Sequence, residues 1–220
     1  VYSKYLQSDK QSVIIPKVIY QTYKDKNVPP IVKERWMKLN PEYQYHLYDD
    51  RDCYNFLMKY YGKKHADFFK YQIKDGPIKS DFWRVCILYQ FGGIYADIDI
   101  VPHVPIREFL DSDTTLYTCI DFTNNDLNPH FIAVTPQNIL MKQCIDIYMK
   151  EKINTPYSYT GYSIIYIMVY VIRKYTNITN FKSGKYKDQK IQFSNEVCPG
   201  NTWSMDCHIK QNGKNIMNCR

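Results

Sequence analysis

Two aspartates one residue apart, Asp97 and Asp99, are the side chains of this chain whose types and spacing point most directly to chemistry. They sit in IYADIDIV, Ile94 to Val101, whose alternation of apolar and polar residues predicts a strand. Residues two apart in a strand share a face, about 6–7 Å from one another. Ile94, Ala96, Ile98 and Ile100 would then face the core, and Tyr95, Asp97 and Asp99 would face away from it together. Two neighbouring carboxylates that lose solvent need a counter-charge, and an oxygen-only pair suits a hard divalent cation, Mn²⁺ or Mg²⁺. Two solvated acids at a strand end fit the same spacing, and spacing alone does not separate the readings.

One helix upstream, Asp81 and Arg84 lie three apart and share a helical face. The bland reading is a surface ion pair of little energetic consequence. The sharper one sets an acid and a planar guanidinium beside the aspartates, where they could fix hydroxyls and neutralise phosphate. Because Phe82, Val85 and Tyr89 occupy a different face, Arg84→Lys is expected to leave stability unaltered in either case.

The elements that must position these residues follow from pattern. A strand is expected within Val13 to Tyr20, after Pro16, and a helix from Pro29-Pro30 to about Leu39, stopped by Asn40-Pro41. Tyr43 to Tyr48 alternates as a second strand, and Asp49-Asp50 opens a helix ending at Gly62. Asp75-Gly76-Pro77 begins the helix that carries Asp81 and Arg84, ended by Gly92-Gly93. Apolar runs at Thr115 to Ile120 and Phe131 to Val134 follow, then helices over Gln137 to Met149 and Gly161 to Tyr175. Strands alternating with helices predict an α/β layered architecture, with residues 1–220 as one domain and no linker or internal repeat.

With these blocks in order, the sequence resembles glycosyltransferase family 32, the DXD-containing sugar transferases. Ile15-Pro16-Lys17-Val18-Ile19-Tyr20-Gln21-Thr22-Tyr23-Lys24 is similar to the family's opening, and Leu39-Asn40-Pro41 with Tyr43 to Asp50 to its next block. The stretch from Ile78 through Asp81, Arg84, Gly92-Gly93 and Asp97-Ile98-Asp99 is similar at nearly every position. Asn128 to Ala133 and Thr160-Gly161 match more weakly. Tyr20 and Tyr23 depart from the family, which usually has His and Trp there.

The resemblance implies a GT-A type nucleotide-sugar-binding fold with a mostly parallel central sheet, and retaining transfer of a hexose from a nucleotide sugar. A UDP-sugar is favoured, with GDP-mannose next, and the acceptor is a glycan, lipid or protein. It implies a donor site formed by Tyr20, Gln21, Thr22, Tyr23, Asp81, Arg84, Gly93, Asp97, Ile98 and Asp99, with Asp81 and Arg84 acting on the sugar. Asp97 and Asp99 would hold Mn²⁺ or Mg²⁺, with His208 as third ligand and Asp206 next to be considered. Residues 13–110 would form the donor and metal side, and 111–220 the acceptor side with a basic C-terminal segment whose lysines could close over the diphosphate. Two other classes compete. A haloacid-dehalogenase-type phosphotransferase would use Asp97 as nucleophile, and a GT-A-like binding protein would keep the fold without turnover.

Composition narrows the classes further. The 220 residues are 45% hydrophobic and 23% charged, ordinary globular values that exclude a disordered scaffold. Residues 173–220 hold nine Lys/Arg against three Asp/Glu, so most of the formal +7 lies there. That excess fits an anionic partner, but no nucleic-acid-binding signature accompanies it and no nucleic acid is expected. No apolar run reaches the ~18 residues of a membrane span. The chain opens Val1-Tyr2-Ser3 without a Met, so membrane association is expected only through an anchor upstream. The seven cysteines form no CxxC pair, which argues against a zinc ribbon. Cys53, Cys86 and Cys144 read as buried free thiols, and Cys198, Cys207 and Cys219 lie close enough for a disulfide.

Overall fold

A computed structural model describes residues 14–123, 126–150, 163–202, 204 and 206–219. Its framework is one sheet in the order β2-β1-β3-β6-β5-β8-β9-β10-β4, with β7 paired to β8. The strands are β1 Val18–Thr22, β2 Gln44–Tyr48, β3 Gly93–Ala96, β4 Val101–Pro102, β5 Leu116–Ile120, β6 Leu127–Val134, β7 Gly184–Tyr186, β8 Gln189–Val197, β9 His208–Gln211 and β10 Lys214–Asn218. The helices are α1 Pro30–Leu39, α2 Asp50–Tyr61, α3 Lys63–Asp67, α4 Gly76–Phe91, α5 Ile139–Lys150 and α6 Ile164–Thr176. β1 runs parallel to both β2 and β3, and β5 parallel to β8, while the other pairs are antiparallel.

Period-2 alternation builds a core on both faces of this sheet. Tyr20, Tyr95, Ile132 and Val134 point to the face covered by α2, α4, α5 and α6. Their neighbours Ile19, Ile94, Ala96, Phe131 and Ala133 point to the other, against Trp36 of α1 and Ile209, Ile216 and Met217 of β9 and β10. A sheet buried on both faces explains why these strands read as near-continuous apolar runs.

Most expected elements form, within two or three residues of their predicted ends. Asp49 caps α2, its carboxylate accepting from the Asp52 N–H at 2.8 Å while Asp52 accepts from the Asp49 N–H. α4 ends where the Gly92 N–H donates to the Leu88 carbonyl, and Gly93 follows at φ +102°. A Cβ on Gly93 would stand 2.9 Å from the Val18 carbonyl oxygen, so a glycine there lets β3 lie directly against β1.

Three readings are corrected. IYADIDIV is not one strand: β3 stops at Ala96, Asp97 to Asp99 form a turn, and β4 begins at Val101. The residues beyond 183 are not an appended basic tail but carry four strands, with β10 pairing β4 just beyond the turn. The bland surface reading of Asp81 and Arg84 also fails, because both are buried. Cys198 and Cys207 form a disulfide, while Cys53, Cys86, Cys119, Cys144 and Cys219 are free and buried. The start of the expected first strand, the beginning of the helix from Gly161 and the Thr160-Gly161 match lie outside the described residues. Among the described residues no helix is long and apolar enough to cross a membrane.

Candidate active site

β1 and β3 end side by side, and the chain leaving β3 makes the Asp97-Ile98-Asp99 turn at their carboxyl ends. The turn is pinned through the backbone of Asp97. Its N–H donates to the His130 carbonyl on β6 at 2.8 Å. Its carbonyl accepts from Gln21 Nε2 at 2.9 Å and from the Ile100 N–H at 3.2 Å. Gln21 is in turn held by the Tyr45 hydroxyl, which donates to Oε1 at 2.7 Å. With its carbonyl taken by a side chain, Asp97 cannot extend the ladder, so the strand ends there.

Arg84 is the centre of the side-chain network. Its Nη2 lies 2.9 Å from Asp81 Oδ1 and 3.0 Å from Asp97 Oδ1, and its Nη1 donates to the Pro129 carbonyl at 2.7 Å. The guanidinium stacks over the Tyr95 ring, 4.2 Å from its centre. The Tyr95 hydroxyl donates to Asp97 Oδ1 at 3.0 Å and shares hydrogen bonds with Ser80 and Thr22. Asp81 Oδ2 accepts from the Ile164 N–H at 3.2 Å, at the first residue of α6. Burial pushes the Asp81 carboxyl up to about 6 despite the neighbouring Arg84. It raises Asp97 as well, with Arg84 and the Tyr95 hydroxyl opposing.

Asp99 has no ion pair among the described residues, and desolvation together with the charge on Asp97 pushes it up to about 6. The ion pair with Arg84 and the hydrogen bond from Tyr95 both use Asp97 Oδ1, which leaves Oδ2 and the Asp99 carboxylate for another ligand. Three carboxylates against one guanidinium leave a net negative charge made of hard oxygens. That donor chemistry fits a divalent cation such as Mn²⁺ or Mg²⁺.

The turn separates two cavities. The first, of about 410 Å³, is lined by residues from Thr22 to Asp99, including Tyr23, Lys24, Asp50, Lys79, Ser80, Arg84, Tyr95, Asp97 and Ile98. The second, of about 580 Å³, is lined by residues from Asp97 to Cys219, including Asp121, Phe122, Asp126, Asn128, His130, Tyr166 and Glu196. Among the described residues, only Asp97 and Asp99 border both.

Of the residues expected at the donor site, Thr22, Tyr23, Arg84, Asp97, Ile98 and Asp99 line the first cavity. Tyr20, Gln21, Asp81 and Gly93 line neither. Tyr20 is buried beside His46 and Tyr48, Gln21 holds the turn, Gly93 fits β3 to β1, and Asp81 stands behind Arg84. His208 lies on β9, its Nδ1 3.3 Å from the Asp206 carbonyl, and lines neither cavity. The C-terminal residue that reaches the cavity beside the aspartates is Cys219. The lysines lining the first cavity are Lys24 and Lys79, neither of them from the C-terminal segment.

Residues 31–128 match the family model described as the glycosyltransferase sugar-binding region containing DXD motif. Over these residues the chain is similar to the DXD glycosyltransferases of family 32.

Among curated relatives, it is 34% identical over 109 residues to inositol phosphoceramide mannosyltransferase 3 of Schizosaccharomyces pombe, covering 46% of this chain and 28% of that protein. It is 31% identical over 110 residues to the initiation-specific alpha-1,6-mannosyltransferase of Candida albicans, covering 46% of this chain and 29% of the relative. With inositol phosphoceramide mannosyltransferase 1 of S. pombe the match is 28% over 166 residues, 70% of this chain and 48% of the relative. The chain thus spans less than half the length of these relatives. The solved PaToxG glycosyltransferase shares the fold, with a TM-score of 0.56 at 16% identity over 73% of this chain and 70% of that one. The fold is GT-A-like. In it the DXD is Asp97-Ile98-Asp99.

Proposed function

We propose that this chain transfers a hexose from a nucleoside-diphosphate sugar to an acceptor hydroxyl, as a member of family 32, with retention of configuration at the transferred carbon. The observation that carries the reading is the position of Asp97 and Asp99 as the shared border of two cavities. The first cavity takes the donor. Lys24 and Lys79 supply positive charge along its wall, and the Arg84 guanidinium, fixed from behind by Asp81, presents its fork beside Ser80. Asp81 is therefore a positioning residue, acting through Arg84 rather than on the sugar. The second cavity takes the acceptor. Its carboxylates, Asn128, Phe122 and Tyr166 offer the hydrogen-bonding and ring surfaces that suit a polyhydroxylated molecule.

This division supports the assignment of residues 13–110 to donor and metal binding and of 111–220 to the acceptor side. Among the described residues, the first cavity draws on residues 22–99 and the second on residues 97–219. Asp97 and Asp99 would hold Mn²⁺ or Mg²⁺, which when bound supplies Lewis-acid stabilisation of diphosphate charge. In the transfer the bond between the sugar carbon and the diphosphate oxygen breaks and a bond to the acceptor oxygen forms. The acceptor proton passes to the departing phosphate, since retention by same-face attack places the two oxygens together.

The names of the fungal relatives move mannose ahead of the UDP-linked sugar that the sequence favoured, and put an inositol phosphoceramide among the acceptors to try. A screen of GDP-mannose and UDP-hexoses with Mn²⁺ or Mg²⁺, read by release of nucleotide, tests the reading. One donor turned over in a cation-dependent way supports it. Absence of binding and turnover with every nucleotide sugar, by protein that melts cooperatively, would leave the binding-protein alternative as the better account.

A further inference from the structure

We propose that His130, Glu196 and Cys219 form a second metal site, for a borderline-soft cation such as Zn²⁺, in the wall of the larger cavity. It is chemically distinct from the two-aspartate site beside it and does not depend on the sugar-transfer reading.

The three residues come from β6, from β8 and from just beyond β10, so only the curled sheet brings them together. One ligand atom from each lies within 4.8 Å of the other two. Each residue is more than nine-tenths buried, yet all three border the 580 Å³ cavity, which leaves an open position for water or a ligand. Cys219 Sγ stands 3.8 Å from His130 Nε2. Tetrahedral zinc with ordinary nitrogen and sulfur bonds would set those atoms about 3.6 Å apart, so little movement is required.

The surroundings also fit. His130 Nδ1 is buried without a hydrogen-bond partner, so the metal would be held through Nε2, the nitrogen that faces Cys219. Asn128 Nδ2 donates to Glu196 Oε1 at 3.0 Å and orients the carboxylate, as outer partners of metal ligands do. The thiol must lose its proton on binding, and that proton leaves to solvent. Nitrogen, sulfur and oxygen donors together select zinc over the Mg²⁺ or Mn²⁺ that an all-oxygen pair prefers. The His130 carbonyl also accepts the Asp97 N–H, so a metal here would be mechanically joined to the DXD turn.

Cobalt(II) is the probe, added to purified full chain without reductant so that the Cys198–Cys207 disulfide stays closed. The wild type should develop a thiolate-to-cobalt charge-transfer band that Zn²⁺ abolishes. Cys219→Ser should lose the band and bind zinc at least about tenfold more weakly, the scale reached by removing even an outer partner of a metal ligand. Asp99→Asn should keep the band. His130→Gln provides a second removal if serine disturbs folding. No band in the wild type, a band that survives in Cys219→Ser, or one lost equally in Asp99→Asn would each overturn the proposal. The last result would mean one shared site rather than two.

Discussion

Arg84→Lys separates a buried bridge from a surface ion pair most sharply. The Arg84 side chain is 5% exposed and simultaneously reaches two carboxylates, the Pro129 carbonyl and the Tyr95 ring. A lysine keeps the charge but has one nitrogen, which cannot stand 2.7 Å from Pro129 O and also bridge Asp81 to Asp97. Losing one charge-assisted hydrogen bond costs roughly 1.5–3 kcal/mol, and the lost stacking adds about 0.5–1 kcal/mol. A total of roughly 2–4 kcal/mol in a chain of this size lowers the melting temperature by about 5–15 °C. Arg84→Met goes further, stranding both acids at a cost of roughly 3–5 kcal/mol. Thermal melts followed by circular dichroism at neutral pH provide the assay. A lysine variant melting within about 2 °C of the wild type, the response of an exposed pair, would refute the buried bridge.

Other perturbations probe the parts around it. Asp81 has its folded-state pKa raised from 3.8 to about 6, so the stability linked to its proton is fully present below about pH 4 and lost as pH rises through about 6. Asp81→Asn should flatten that limb in urea titrations between pH 4 and 7, and an unchanged slope would count against it. Gly93→Ala places a methyl 2.9 Å from the Val18 carbonyl at φ +102° and should cost at least about 2 kcal/mol in denaturant unfolding. Tyr95→Phe removes the hydroxyl on Asp97 Oδ1 and should cost about 1 kcal/mol. Its turnover should fall less than that of Arg84→Lys, since the arginine still holds Asp97.

How legible each part was depends on whether its cause is local. The capping of α2 by Asp49, the glycines after α4, the apolar run of β1 and the alternation in β2 are short-range effects, and the sequence displays them. The end of β3 is not local. Alternation continues through Asp99, but Gln21, 76 residues away, captures the Asp97 carbonyl. The four C-terminal strands were hidden because their lysines and asparagines mask the alternation. Their partners are also distant, as with Leu116 opposite Ile191 and Val101 opposite Asn218.

The burial of Arg84 did leave a signal. Phe82, Trp83, Val85, Cys86, Ile87 and Leu88 make α4 apolar around its circumference, and a charged pair on such a helix has no solvent face. Glu196 and His130 on two strands and Cys219 just beyond a third converge with no shared spacing. Nothing in the sequence announced their meeting.

Asp99 offers the most direct test of the central claim, because it is exposed, bears no ion pair among the described residues and borders both cavities. Sugar transfer from the active donor would be measured with Mn²⁺ and with EDTA, in the wild type and in Asp99→Ala, beside a thermal melt of each. The account predicts a wild type that needs the cation. It predicts an alanine variant whose stability lies within about 0.5 kcal/mol of it but whose cation-dependent transfer is lost. Transfer by Asp99→Ala at near wild-type rate, or a wild type indifferent to EDTA, would contradict it.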